Sequence, residues 1–291
     1  MKKETLDRRN ILANKIMFYI YKHIDTDINL DLLSEDLLIS KFHMHRVFKE
    51  AFGRNIYESI KSIRLQKASN LLITNQYSTI SEIANKCGYS SQSSFIKSFK
   101  ERFKMTPKEW KRDGYKEYSR KILENSEHPT IMSTANFDDI VPEIVEMEPI
   151  TAYYIRNQGY NKSIQQTWQK LQIWSLSNKL TDFQQIALYH DNPSITPHES
   201  CQYIACIQTN QQKFQNNRLP SFTIFGGIYA KFDLKGVRGD LLKLITWVYQ
   251  EWLPKSGLET TPRPSYAIHR KNHFLDKNGE FDASFYVSVS Y

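Results

Sequence analysis

Between about residue 10 and residue 110, apolar side chains recur every three or four positions, the spacing of helices that bury one stripe. Pro107 is the only proline before Pro129, so the pattern runs on with few breaks. A polar stretch from Asp113 to Asp139 shows little periodicity and reads as a linker. Beyond it the texture changes to short β-rich runs: Thr151–Ile155, Ile186–Tyr189, Tyr203–Ile207, Phe222–Phe232, Tyr266–His269 and Ala283–Tyr291. Two amphipathic helical stretches, Ser163–Asn178 and Asp240–Leu253, interrupt those runs. The pattern predicts an all-α domain over residues 8–112, a linker over 113–139 and an α/β (α+β) domain over 140–291.

Both domains repeat internally. In the first, Leu33 and Leu37 correspond to Ile83 and Cys87 at an offset of 50, and Met44, Phe48 and Phe52 to Phe95, Phe99 and Phe103 at 51. The second turn therefore holds one extra residue. Gly88 stands where that turn must be tight; Leu38 in the same place implies a looser or differently built first turn. In the second domain, Trp174 and Leu180 line up with Trp252 and Leu258 at an offset of 78. Each copy there reads strand, helix, strand, strand.

At 100° per residue, Met44, Val47, Phe48 and Ala51 form one buried stripe. Phe42, His45, Arg46 and Lys49 fall on the opposite face. The second copy buries Phe95, Phe99 and Phe103 and leaves Ser93, Ile96, Lys97 and Lys100 outside, with Ser91 and Gln92 at its N-terminus. A helix that docks through one face and offers Arg, Lys and His from the other suits the major groove of DNA. One such helix alone reads rather as a solvated polar face; the duplication turns the reading to DNA.

Charge agrees. Residues 1–125 hold 24 Lys and Arg against 15 Asp and Glu, a net of +9, while the remainder carries −1. The excess suits a polyanion partner, because each phosphate contact releases counterions. Cys87, Cys201 and Cys206 are too scattered for a disulfide framework, which points to a reducing compartment and a cytoplasmic location. The polar start MKKETLDRRN lacks the apolar core of a signal peptide, and no run is long and apolar enough for a membrane span. His43 and His45 lie about 200° apart on a helix, and Cys201 and Cys206 lack partners at metal-site spacing. With no phosphate loop, dinucleotide fingerprint or nucleophile elbow, the sequence implies no metal, no cofactor and no catalytic residue.

The segments SKFHMHRVFKEAFG (40–53), IRLQKASNLLI (63–73) and ISEIANKCGYSSQSSFIKSFKERFKMTPKEWK (80–111) resemble the AraC/XylS family of transcriptional regulators. The resemblance implies seven helices, with two helix-turn-helix units joined by a long helix at about Ile56–Ile73 and recognition helices entering successive major grooves. It assigns base contacts to Phe42, His45, Arg46, Gln92, Ser93 and Lys97. It also implies a nucleoid-bound bacterial regulator, activation of transcription and RNA polymerase as a partner. Two readers in one chain, without a coiled-coil heptad, point to a monomer on double-stranded DNA.

ALYHDNPSITP (187–197), YIACIQ (203–208), FGGIYAKFDLKG (225–236) and WLPKSGLE (252–259) resemble GyrI-like domains, small ligand-binding modules of duplicated β-α-β-β units. Joined to an AraC-type reader, such a module resembles the Rob-type regulators. The resemblance implies a pocket between the two copies, for which Tyr153, Trp168, Tyr189, Phe225, Trp247 and Tyr266 are candidates. Any one of these aromatics alone reads as ordinary core. Relatives that bind cationic drugs commonly carry a Pro-Phe-Glu-x-Tyr-like strand; here the run is Pro264-Ser265-Tyr266-Ala267-Ile268-His269. Ala267 stands at the carboxylate position and His269 at that of the tyrosine. Without the anion a buried cation lacks its partner, so either the effector is expected to be neutral or anionic or the sensor has lost binding altogether. Two alternatives remain at this stage, a small-molecule hydrolase and a protein-interaction module tethered to DNA.

Overall fold

The computed structural model describes residues 3–75, 77–125, 137, 139–211, 214 and 219–291. Two compact units divide the chain, Met1–Gly114 and Tyr115–Tyr291.

The first unit is helical throughout its described residues: α1 Lys3–Lys22, α2 Leu30–Asp36, α3 Lys41–Phe52, α4 Ile56–Thr74, α5 Ile80–Lys86, α6 Gln92–Phe103 and a short α7, Pro107–Glu109, that runs into a π turn, Trp110–Gly114. Helices as short as α2 and α5 are unstable in isolation, and their ends are fastened locally. Asn29 caps α2 by accepting from the Asp31 and Leu32 amides. Asn55 with Glu58, Thr79 with Glu82 and Thr106 with Glu109 close capping boxes on α4, α5 and α7. The long α4 is the spine. Arg64 on it donates to the Ile24 and Thr26 carbonyls at 3.0 and 2.7 Å, and its Ser69 carbonyl accepts the buried Trp110 Nε1–H at 3.0 Å. Trp110 closes a ring pile with Phe99 and Phe103, centroids 5.6 and 4.5 Å away.

Part of the expected linker is helix. α8, Tyr115–Glu124, belongs to the second unit, where Tyr115 Oη donates to the Gln250 carbonyl and Lys116 pairs with Glu251. Its solvent side is laced by Arg120 to Glu117 and Glu124. Residues 126–136 and 138 of the expected linker lie outside the described residues.

The rest of the second unit comprises β1 Glu143–Met147, β2 Ile150–Gln158, α9 Ser163–Ser177, β3 Gln184–Tyr189, β4 Gln202–Gln208, β5 Ser221–Ile224, β6 Gly227–Val237, α10 Asp240–Trp247, a π turn, α11 Leu253–Ser256, β7 Glu259–Thr260, β8 Ser265–Lys271 and β9 Glu280–Ser290. The strands form one antiparallel sheet in the order β1-β6-β9-β8-β3-β4-β2-β5, with β7 on β9. The β-α-β-β duplication is visible as β2-α9-β3-β4 and β6-α10-β8-β9. The copies meet at β3 and β8, where Ala187 faces Ala267. The single run expected over Phe222–Phe232 is two strands. Gly226 and Gly227 break it: Gly227 takes φ 127°, and a Cβ on Gly226 would lie 2.6 Å from the Met147 carbonyl oxygen.

Both sheet faces are buried, so the strands read as apolar runs rather than strict alternations. Tyr153, Ala187, Tyr189, Tyr203, Ala205, Ala267 and Phe285 share one cluster with the inward side chains of α9 and α10. Tyr154, Ile186, Leu188, Ile204, Tyr229, Tyr266 and Tyr286 make up the other.

Candidate nucleic-acid interface and ligand site

The two helix-turn-helix units open their turns with the same pair of backbone hydrogen bonds, although the second turn is one residue longer. In the first turn the Leu38 amide donates to the Glu35 carbonyl at 2.9 Å and the Ile39 amide to Ser34 at 3.1 Å. In the second, Gly88 donates to Asn85 at 2.9 Å and Tyr89 to Ala84 at 3.0 Å. Leu38 takes φ 54° and Gly88 φ 72°. The expectation of a looser first turn is therefore corrected: Leu38 adopts the left-handed conformation that costs a side-chain-bearing residue about 1–2 kcal/mol. Leu38 can do so because its side chain is 92% exposed. Gly88 has no such freedom, since a Cβ there would lie 2.7 Å from Arg64 Nη2 and 2.8 Å from the Ile24 carbonyl oxygen.

Both recognition helices have twelve residues, begin at a serine cap and end on a left-handed residue, Gly53 for α3 and Lys104 for α6. Met44, Val47, Phe48 and Phe52 are buried on α3, and Ala51 only partly. Phe95, Phe99 and Phe103 are buried on α6. The opposite faces are open. Phe42 is 76% exposed, Arg46 and Lys49 are exposed, and His45 is half-buried with its ring 5.6 Å from that of Tyr57. Arg46 Nη2 lies 3.3 Å from His43 Nδ1. On α6, Ser91, Gln92, Ser93, Lys97 and Lys100 are exposed, while Ile96 is half-buried. Ser91 is already engaged in the fold, since its Oγ accepts the Ser94 amide at 3.2 Å and caps the helix. The S-x-x-S spacing at 91–94 carried that signal.

In the second unit the candidate pocket residues divide. Trp168 links two of the others: it bonds Tyr203, on which Tyr189 packs, and its ring meets that of His269. Trp168 Nε1–H donates to Tyr203 Oη at 2.9 Å, the Tyr189 and Tyr203 rings lie 5.6 Å apart, and Trp168 meets the His269 ring at 6.0 Å. Ala267 lies on the same side of β8 as His269, by the alternation of the strand. Tyr153 stands elsewhere on this face, against Trp174 and Phe214, and the half-buried Trp247 packs towards Phe137 and Phe232. Tyr266 points the other way and stacks on Tyr286 at 4.7 Å. Phe225, in the loop between β5 and β6, has the Arg263 guanidinium 5.8 Å over its ring. Sequence reading missed Tyr160, Tyr203 and His273, all buried in the aromatic group. The period-two series Tyr203, Ala205, Ile207 could have placed Tyr203 on the face of Tyr189.

Burial shapes the chemistry of this group. Desolvation pushes the phenols of Tyr160, Tyr189 and Tyr203 well above the usual tyrosine range. It pushes the His269 imidazole down to about 4, the nearby Arg270 charge acting in the same direction and the Lys271 backbone against it. Among the described residues no group of three or more His, Cys, Asp or Glu side chains is arranged to hold a metal ion.

The family model of the GyrI-like small molecule binding domain matches residues 141–290, and that of a helix-turn-helix domain matches residues 33–113. This chain belongs to the GyrI-like family. It is an AraC-type helix-turn-helix protein with a GyrI-like small-molecule-binding domain. The xylose operon regulatory protein of Escherichia coli (strain K12) is 37% identical over 95 residues, 33% of this chain and 24% of that protein. The match thus spans about a quarter of that relative's length. The C-terminal domain of AraT, a response regulator from Geobacillus stearothermophilus, is 29% identical over 35% of this chain and 84% of its own, with a TM-score of 0.34. The EcmrR C-terminal domain is 15% identical over 52% of this chain and 98% of its own, with a TM-score of 0.42. In the GyrI-like unit the central strand pair carries small side chains, Ala187 and Ala267, where the copies meet, with Tyr189 and His269 two residues further along each strand. Among the described residues no helix is long and apolar enough to cross a membrane.

Proposed function

We propose that this protein is a sequence-specific transcriptional activator that binds promoter DNA as a monomer and responds to a neutral or anionic small molecule. The observation that carries the DNA-reading part is the repeated turn: two units share hydrogen bonds, caps and left-handed residues, and each opens a donor-rich face away from its core. Phe42, His45 and Arg46 on α3, and Gln92, Ser93 and Lys97 on α6, read base edges in successive major grooves. Lys49 and Lys100 meet phosphates, and Ser91 combines its cap with a backbone contact. We assign residues 8–112 to DNA binding and residues 140–291 to the sensor. Effector binding shifts the population of the DNA-competent form, and the bound regulator positions RNA polymerase on the cytoplasmic nucleoid. No step of this scheme is enzymatic.

The test is selection of genomic fragments by the full chain at two salt concentrations, followed by titration of the selected site. One asymmetric site of about two helical turns is expected. Arg46→Ala should cost about 1–3 kcal/mol on that site and little on random DNA. Binding that depends on salt alone, with no enriched sequence, overturns the reading.

A further inference from the structure

His269 is 5% exposed, and neither of its ring nitrogens has a hydrogen-bond partner of good geometry, the contact with the Lys271 backbone falling short of one. That is unusual. An imidazole carries one donor and one acceptor in its neutral form, and leaving either unmade in a dry interior is destabilising. Several other buried polar groups of this unit are better served. Trp168 gives its N–H to Tyr203, Asn272 gives an amide N–H to Gln185, and Ser265 is bonded to Tyr249. His269 thus has ring nitrogens without a well-made hydrogen bond, and the Trp168 and His273 rings pack edge-on against it at 6.0 and 5.9 Å.

Resting on the effector-sensing reading above, we propose that His269 is the hydrogen-bonding anchor for an uncharged planar ligand bearing a hydroxyl or amide, held between aromatic rings of the GyrI-like unit. Three observations favour that class. The walls are aromatic, which suits a flat apolar body. At neutral pH the buried imidazole is uncharged, so it offers no cation to an anionic ligand; with its proton affinity lowered to about 4, charging it would cost about a thousandfold in affinity at pH 7. The strand positions at the seam give a cationic ligand no carboxylate, for position 267 is alanine and its partner is Ala187.

The experiment is calorimetric titration of the full chain with four probes on one ring system: 2-naphthol, 2-naphthoate, 2-naphthylmethylammonium and 2-methylnaphthalene. The expected order puts naphthol about tenfold or more ahead of methylnaphthalene, with both ions weaker still. In His269→Phe, naphthol should lose that advantage while methylnaphthalene binds as before, which shows that the variant is folded; His269→Gln should recover part of the advantage. Equal binding of naphthol and methylnaphthalene, preference for either ion, a naphthol advantage that survives His269→Phe, or no binding by any probe overturns the proposal. Loss of sequence-selective DNA binding would instead sink the regulator reading and leave these four affinities where they are.

Discussion

Leu38 and Gly88 occupy one backbone conformation with opposite freedoms. Leu38→Gly relieves the left-handed strain of about 1–2 kcal/mol but returns about 0.4–1 kcal/mol through the looser unfolded chain. A net gain of roughly 0.5–1 kcal/mol should appear in urea unfolding. Gly88→Ala should cost about 2 kcal/mol or more, because the added Cβ meets both strain and the Arg64–Ile24 contact. Equal and small effects at the two sites would show that the turns are not built alike. His269 supplies a second residue-scale test. Its folded-state proton affinity lies below the ordinary value of 6.5, at about 4, so the unfolded chain binds the extra proton between those limits. Stability therefore falls as pH drops from about 6.5 to about 4, by up to about 3 kcal/mol in total, and is flat above that window. His269→Phe should remove this slope, and should leave the protein at least as stable at pH 7 because two unpaired nitrogens disappear. Unfolding midpoints of both proteins at pH 7 and pH 5 check it: a parallel fall in the two excludes His269 as the cause.

At the scale of elements, short helices depend on their ends. Thr79 caps α5, whose seven residues set the base on which α6 packs. Thr79→Ala should cost about 1 kcal/mol and raise amide exchange in α5 before the rest of the unit. The Glu82 carboxyl, held below its usual range by the Thr79 amide, adds support that is present above the ordinary carboxylate range and fades as pH falls through it. Such caps were legible in the sequence, as T-x-x-E and N-x-x-E spacings, and so were the recognition helices, because a duplicated apolar stripe leaves little choice of face. α8 was not. Its buried positions are Tyr115 and Ser119, and a stripe made of tyrosine and serine reads as polar until its partner at Gln250 is known. The candidate pocket was legible only by half. Adjacent residues of a strand face opposite ways, so Tyr266 and Ala267 could not both line one site. Strand parity separates them, but which face receives α9 and α10 is a tertiary fact. Trp168, Tyr189 and His269 lie on the face that receives α9 and α10, while Tyr203 escaped notice because its strand is apolar on both sides.

For the whole molecule, charge and sheet topology set the behaviour. All of the net positive charge lies in the first 125 residues, so DNA affinity should fall steeply with salt. Lys49→Ala and Lys100→Ala should each lower the slope of log K against log salt by about 0.9 and weaken specific and random DNA alike. Unchanged slopes would remove these lysines from the phosphate contacts.

The seam between the two sensor copies has a kinetic consequence. Its strands, β3 and β8, pair residues 80 positions apart, as at Ala187 and Ala267, whereas β3 pairs with β4 much nearer in sequence, as at Tyr189 and Tyr203. Contacts so remote in sequence form slowly, since a long loop must close before they are rewarded. Each copy can hence assemble its own three strands first, leaving β3 and β8 as bare, apolar rims awaiting each other. A chain halted there carries two complementary edges. At high concentration those edges find a neighbour's, β3 of one chain to β8 of another, and the product is an exchanged dimer bearing four recognition helices.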